Sequence, residues 1–120
     1  MSHNYRALRA DGAETRAQLR ADIPATPRAF TALSQAAMGD GVLDKKTKEL
    51  IAMALGVAAR CDDCLAFHAE ALVKLGCTRA ELEEMLAVCI YMGGGPALMY
   101  AAHALTAFEQ FGGGSSSAAA

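Results

Sequence analysis

The chain has no tryptophan, three prolines, and aromatic residues at only 6% of its positions. It also lacks a large excess of either charge: 11 Lys and Arg stand against 13 Asp and Glu, for a formal net charge of −2. The basic residues are scattered, with no aromatic-interleaved basic stripe. The electrostatic footprint of a nucleic-acid binder is therefore missing, and nucleic acid is not an expected partner. Met1-Ser2-His3-Asn4-Tyr5-Arg6 contains no apolar core of a secretory signal, so the expected compartment is the cytoplasm. Four cysteines in such a chain do not read as the disulfide framework of a secreted domain. From Met85 to Phe108 there is no Asp, Glu, Lys or Arg. That run exceeds the roughly 20 residues of a membrane span, but Gly93-Gly94-Gly95-Pro96 breaks it at its centre. Two short apolar helices are expected instead, with no membrane partner. So much apolar surface in a small chain points to burial against other subunits.

What is present reads as one all-α domain of about six helices over residues 1–111, followed by a low-complexity tail, 112–120, expected to be flexible. A polar helical stretch over about 12–20 ends before Pro24, and Pro27 suits the first turn of a helix to about Met38, stopped by Gly39-Asp40-Gly41. Asp44 is a natural N-cap for a helix from Lys45 to about Ala59. A turn at Arg60 leads to a helix from about Cys61 to Leu75, closed by Gly76. Thr78-Arg79-Ala80-Glu81 is a capping box opening a helix to about Met92, and Pro96 opens the last one, to about Phe111.

The segment with the most chemistry is Cys61-Asp62-Asp63-Cys64-Leu65-Ala66-Phe67-His68. Residues three and four apart are neighbours on a helix, so both thiols and the imidazole share one narrow arc. Leu65, Leu72 and Leu75 lie on that arc, while Asp63, Glu70 and Lys74 lie opposite. The thiols are expected to face the interior or an interface, beside a pocket suited to an apolar or amphipathic substrate. If the chain reverses near Arg60, Glu49 lies ~16 Å back along one helix and His68 ~12 Å along the next. The two then come nearly level, and a Glu49–His68 contact would fix the imidazole tautomer and raise its basicity. A thiolate near a helix N-terminus is favoured, while Asp62 and Asp63 oppose it, so only modest acidification is expected. A zinc site would want a fourth ligand, and no second Cys-x-x-Cys or His pair follows.

Glu49, eleven intervening residues, then Cys61-x-x-Cys64-x-x-x-His68 resembles the core motif of the alkylhydroperoxidase D-like branch of the carboxymuconolactone decarboxylase family. The likeness runs from about Asp40 to His103 and includes Gly41-Val42-Leu43-Asp44, Lys48-Glu49-Leu50-Ile51, Gly76-Cys77-Thr78 and Tyr91-Met92-Gly93-Gly94-Gly95-Pro96-Ala97. It implies an all-helical fold whose central hairpin carries the Cys-x-x-Cys motif, assembled as a homotrimer or homohexamer. It further implies peroxidase activity with no bound cofactor. The substrate is then a hydroperoxide and the reductant an external lipoyl-type dithiol or lipoylated protein. The resemblance assigns peroxide attack to Cys64, resolution to Cys61 and proton relay to Glu49 with His68; helix position alone would favour Cys61 as nucleophile. Two features depart from alkylhydroperoxidase D itself: Asp63 stands where that protein has a histidine, and this chain carries a single core instead of two related halves.

Other readings are a general disulfide oxidoreductase, a lactone decarboxylase of aromatic degradation, and a non-catalytic module whose disulfide switches assembly. Cys77 and Cys89 read as packing residues, His103 as a core or interface histidine, and Tyr91 as a pocket wall or a buried, hydrogen-bonded tyrosine. The triple glycine lacks the Lys-Ser/Thr of a phosphate loop and reads as a site of tight helix packing.

Overall fold

A computed structural model describes residues 3–114. Its seven helices are α1 (Tyr5–Asp11), α2 (Ala13–Asp22), α3 (Ala25–Met38), α4 (Lys45–Ala59), α5 (Asp62–Lys74), α6 (Arg79–Gly93) and α7 (Gly95–Gln110). There is no strand among the described residues, so the fold is all-α, as the sequence predicts. The additional helix is α1. The Asn4 side chain caps it by accepting from the Ala7 N–H at 2.9 Å.

The helix boundaries follow local side-chain chemistry. Asp44 caps α4 through the Thr47 N–H at 2.8 Å. Thr78 and Glu81 form the reciprocal capping box at the start of α6. Gly76, with φ +75°, ends the turn after α5 in a conformation that glycine adopts without penalty. Pro96 sits in the first turn of α7. Ile23, which precedes Pro24, is pushed out of helical geometry and separates α2 from α3.

The core lies among α1, α4, α5, α6 and α7. Met53 and Val57 of α4, Leu65, Ala66, Ala69 and Leu72 of α5, and Leu82 and Leu86 of α6 are buried together. Helix α7 adds Ala97, Ala101, Ala104 and Phe108, an i, i+4, i+7, i+11 stripe whose small residues let neighbouring helices approach closely. The α2–α3 hairpin is different: neither helix buries a residue. It stands out from the core, and the radius of gyration is 14.9 Å, against about 13 Å for a compact chain of ~100 residues. Lys48 ties its far end down, donating from Nζ to the carbonyls of Ala37 and Gly39 at 2.9 and 2.7 Å.

Helices α6 and α7 leave Val88, Tyr91, Met92, Leu98 and Met99 exposed in the single chain, on the apolar surface expected to be buried against other subunits. Tyr91 is 84% exposed, so it is neither a pocket wall nor a buried hydrogen-bonded tyrosine. Of the tail predicted to be flexible, residues 115–120 lie outside the described residues, while 112–114 close the end of α7. There Gly113 N–H donates to the Phe108 carbonyl at 2.8 Å, and Arg79 donates to the Gly114 carbonyl at 3.3 Å. Among the described residues no helix is long and apolar enough to cross a membrane.

Candidate active site

The link between α4 and α5 is two residues long. Arg60 takes a left-handed conformation (φ 56°, ψ 47°), and its N–H closes the end of α4 on the carbonyls of Gly56 and Val57. Cys61 then turns extended and becomes the N-cap of α5. This places it one position before the first turn in which the sequence reading set it. Its sulfur accepts the Cys64 backbone N–H at 3.2 Å, the role that a serine or aspartate oxygen usually fills. Cys61 and Cys64 are joined as a disulfide, with Cα atoms 5.2 Å apart. Both are half-buried, Asp63 between them is exposed, and Asp62 is half-buried.

Gly56 lets this turn sit close to α4. A methyl group there would lie 3.3 Å from Cys64 Cβ, tighter than side chains normally pack, and in ordinary contact with a Leu65 methyl at 3.6 Å. Four residues after Cys64, His68 Nδ1 lies 2.7 Å from Glu49 Oε2. The Glu49 side chain is 7% exposed and that of His68 21%. A carboxylate this buried is costly unless paired, and His68 is its partner. With Nδ1 held by Glu49, Nε2 is the ring atom left to take or give a proton. The anticipated Glu–His contact is therefore present, built by a two-residue turn that sets α4 and α5 side by side.

The four residues picked from the sequence, Glu49, Cys61, Cys64 and His68, thus share the α4–α5 hairpin. Others are elsewhere. Cys77 is buried and Cys89 half-buried against Met85, 3.5 Å between sulfurs, and burial raises both thiol pKa values. His103 packs its ring against Tyr100, centroids 5.1 Å apart. Among the described residues no three His, Cys, Asp or Glu side chains converge as a metal site.

An apolar cavity of about 330 Å³ is present, but not at the thiols as expected. Ala54, Leu55, Val57, Ala58, Val88 and Met92 line it, with Val57 the one of these that shares the buried flank of α4 with Met53. The reason is angular: Ala54, Leu55 and Ala58 lie roughly 120–180° around the helix from Glu49, and Val57, at about 80°, borders both sides.

One residue beside the site was missed. Tyr5, fully buried, donates its hydroxyl to Asp62 Oδ1 at 3.2 Å. Burial, then the Asp62 charge, push its ionisation well above the usual tyrosine range. The signal available was Asn4 as a cap followed by Tyr5 and Leu8 at helical spacing.

The fold and site define a class: an all-helical protein with a redox-capable cysteine pair at a helix N-terminus beside a buried Glu–His couple. The chain belongs to the carboxymuconolactone decarboxylase family, whose model matches residues 24–107. It resembles the apo crystal structure of a family member from Legionella pneumophila with a TM-score of 0.89 and 53% identity, over 92% of this chain and 98% of that one. A family member from Thermotoga maritima, for which a part in the antioxidative response has been suggested, matches with a TM-score of 0.71 and 28% identity, over 83% of this chain and 88% of that one. An uncharacterised protein of Cupriavidus necator is 48% identical over 86 residues, 72% of this chain and 76% of its own length.

Proposed function

We propose that the chain is a thiol-dependent hydroperoxidase of the alkylhydroperoxidase D-like branch. The observation that carries this reading is the 2.7 Å Glu49–His68 contact four residues beyond a Cys61–Cys64 pair at the start of α5. In the reduced protein the Cys64 thiolate attacks a peroxide oxygen. The O–O bond breaks, the alcohol leaves with a proton supplied by His68, and Cys64 becomes a sulfenic acid. Cys61 then attacks the Cys64 sulfur, the S–O bond breaks, water leaves, and the disulfide forms. An external dithiol of lipoyl type, free or on a lipoylated protein, returns both thiols by exchange. The Cys64 N–H on the Cys61 sulfur (3.2 Å) favours Cys61 as the thiolate released in that exchange. The suggested antioxidative role of the Thermotoga relative fits this chemistry.

The proposal includes a cytoplasmic location, where reductant keeps the pair cycling. It also includes a homotrimer or homohexamer, because Leu55, Val88, Met92, Leu98 and Met99 form apolar surface that one chain leaves open.

The test is peroxide consumption with reduced lipoamide. Cys64→Ser should fall to background, and Glu49→Gln should lose about 10²-fold in kcat, the usual worth of an oriented proton donor. Turnover retained by Cys64→Ser would overturn the mechanism. One observation favours a second reading, a general disulfide oxidoreductase: the apolar cavity stands apart from the thiols, whose turn is flanked by exposed Arg60 and Asp63. A faster rate on a protein disulfide than on an organic hydroperoxide would select it.

A further inference from the structure

The residue between the two cysteines that ought to weaken them is held by a group far away in the sequence. Helix α1 buries one side chain, Tyr5, and the hydroxyl of that side chain ends on Asp62 Oδ1, 3.2 Å away. A phenylalanine would fill the same space. A buried hydroxyl needs a partner, and here the partner is the first residue of α5, flanked by Cys61 and followed by Cys64 two positions on.

The position of this hydroxyl is well fixed. The Tyr5 backbone N–H donates to Gln110 Oε1 at 2.6 Å, and Gln110 Nε2 donates to the His3 carbonyl at 2.7 Å, so the end of α7 clamps the start of α1. Burial and the Asp62 charge keep the hydroxyl protonated, hence a donor, through and beyond neutral pH.

The charged and titratable groups facing α5 come from each helix packed on it, α1, α4 and α7. From α1 come Tyr5 and Arg9, whose guanidinium lies 3.4 Å from Glu70 and over the Phe67 ring. From α4 and its cap come Glu49, paired with His68, and exposed Arg60. From α7 come Tyr100 and His103, whose rings meet edge to face. On α5 itself Asp63 is exposed, whereas Asp62 is half-buried. Among the described residues Asp62 has no ion-pair partner, and its side chain is held by Tyr5.

We propose that Tyr5 is a positioning residue for the dithiol: its hydroxyl holds the Asp62 carboxylate against α1, where it opposes a thiolate at Cys61 or Cys64 less than a free carboxylate would. Without the hydroxyl, Asp62 is free to swing over the sulfurs, and like charge disfavours the thiolate. The inference rests on the reading of Cys61 and Cys64 as a working dithiol.

The experiment is alkylation of the reduced full chain by iodoacetamide against pH. Peptide mass spectrometry separates Cys64 from Cys77 and Cys89. Tyr5→Phe should raise the Cys64 midpoint by about half to one pH unit, slowing alkylation at pH 7 roughly 3- to 10-fold, with the rate recovering at high pH. Asp62→Asn should lower the midpoint, and Tyr5→Phe added to Asp62→Asn should not move it again. An unmoved midpoint in Tyr5→Phe, an equal shift in the Asp62→Asn background, or no fall in Asp62→Asn alone overturns the proposal. The third result stands even if Tyr5→Phe does not fold. Alkylation needs no peroxide, so a wild type inert to peroxide defeats the hydroperoxidase reading alone. Unmoved midpoints in an active peroxidase defeat only the role of Tyr5.

Discussion

Along one side of α4, Glu49, Met53, Gly56 and Val57 are buried, whereas along the other Ile51, Leu55 and Ala58 are exposed. The first side carries the one buried charged residue of the described chain, Glu49, satisfied within hydrogen-bond distance by His68. The second, beyond Lys48, is apolar, and its Leu55 and Ala58 border the cavity shared with Val88 and Met92 of α6. A buried carboxylate is tolerated only where its partner is built in, and for Glu49 that partner, His68, comes from the same chain. Apolar surface carries no such demand. It can be left open for a neighbour, at the cost of an exposed patch.

The contrast breaks most readily at single leucines. Leu65 is fully buried on α5, against Gly56, and Leu65→Ala should lose about 2–5 kcal/mol through lost transfer energy and the cavity left behind. Leu55 is 65% exposed, and Leu55→Ala should stay within about 0.5 kcal/mol for the dissociated chain. Urea unfolding at low protein concentration reads both. Equal losses would mean that the outer side of α4 is packed in the single chain after all.

A smaller effect distinguishes an open patch from an unfinished interface. Val88 is 61% exposed on the far wall of the cavity. Val88→Glu should leave Cys61–Cys64 oxidation unaltered while raising the dissociation constant of the assembly about 10- to 100-fold, some 1.4–2.7 kcal/mol. Sedimentation equilibrium of wild type and variant measures this. If the wild type is already a monomer at micromolar concentration, the patch has another purpose and the proposed trimer or hexamer falls.

The same contrast separates what could be read in the sequence from what could not. Asp44, Thr78 and Gly76 mark helix ends through chemistry confined to a few residues, and all three act as read. Glu49 and His68 were legible as neighbours because helical rise and a short turn fix their levels. Tyr5 was not: Asn4 and the Tyr5–Leu8 spacing mark a seven-residue helix, but nothing local marks a bond to Asp62, 57 positions away. Tyr91 misled because a run without charges looks buried throughout, although periodicity cannot say whether the covering surface belongs to the same chain. The cavity was misplaced for a related reason. A helical wheel identifies an apolar face but not the helix that packs on it.

The reactive side also contains the one non-glycine residue at positive φ among those described, Arg60, at the turn that presents Cys61. A left-handed conformation costs an L-residue roughly 1–2 kcal/mol. Glycine would avoid that, but its greater freedom in the unfolded chain takes back about 0.5–1 kcal/mol. Arg60→Gly should therefore stabilise the reduced protein by about 0.5–1 kcal/mol in urea unfolding. Its geometry should be unchanged, because the contacts that set the turn are backbone ones: Arg60 N–H to the Val57 carbonyl at 3.2 Å and Cys61 N–H to the Gly56 carbonyl at 3.1 Å. A loss of stability would show that the Arg60 side chain contributes more than its backbone costs, through its charge beside the dithiol. Arg60→Asn, which tolerates the left-handed conformation but carries no charge, separates these cases. Stability at or above wild type assigns the effect to the backbone. Stability well below wild type assigns it to the guanidinium, and the reactive side of α4 then depends on an exposed cation as well as on its buried pair.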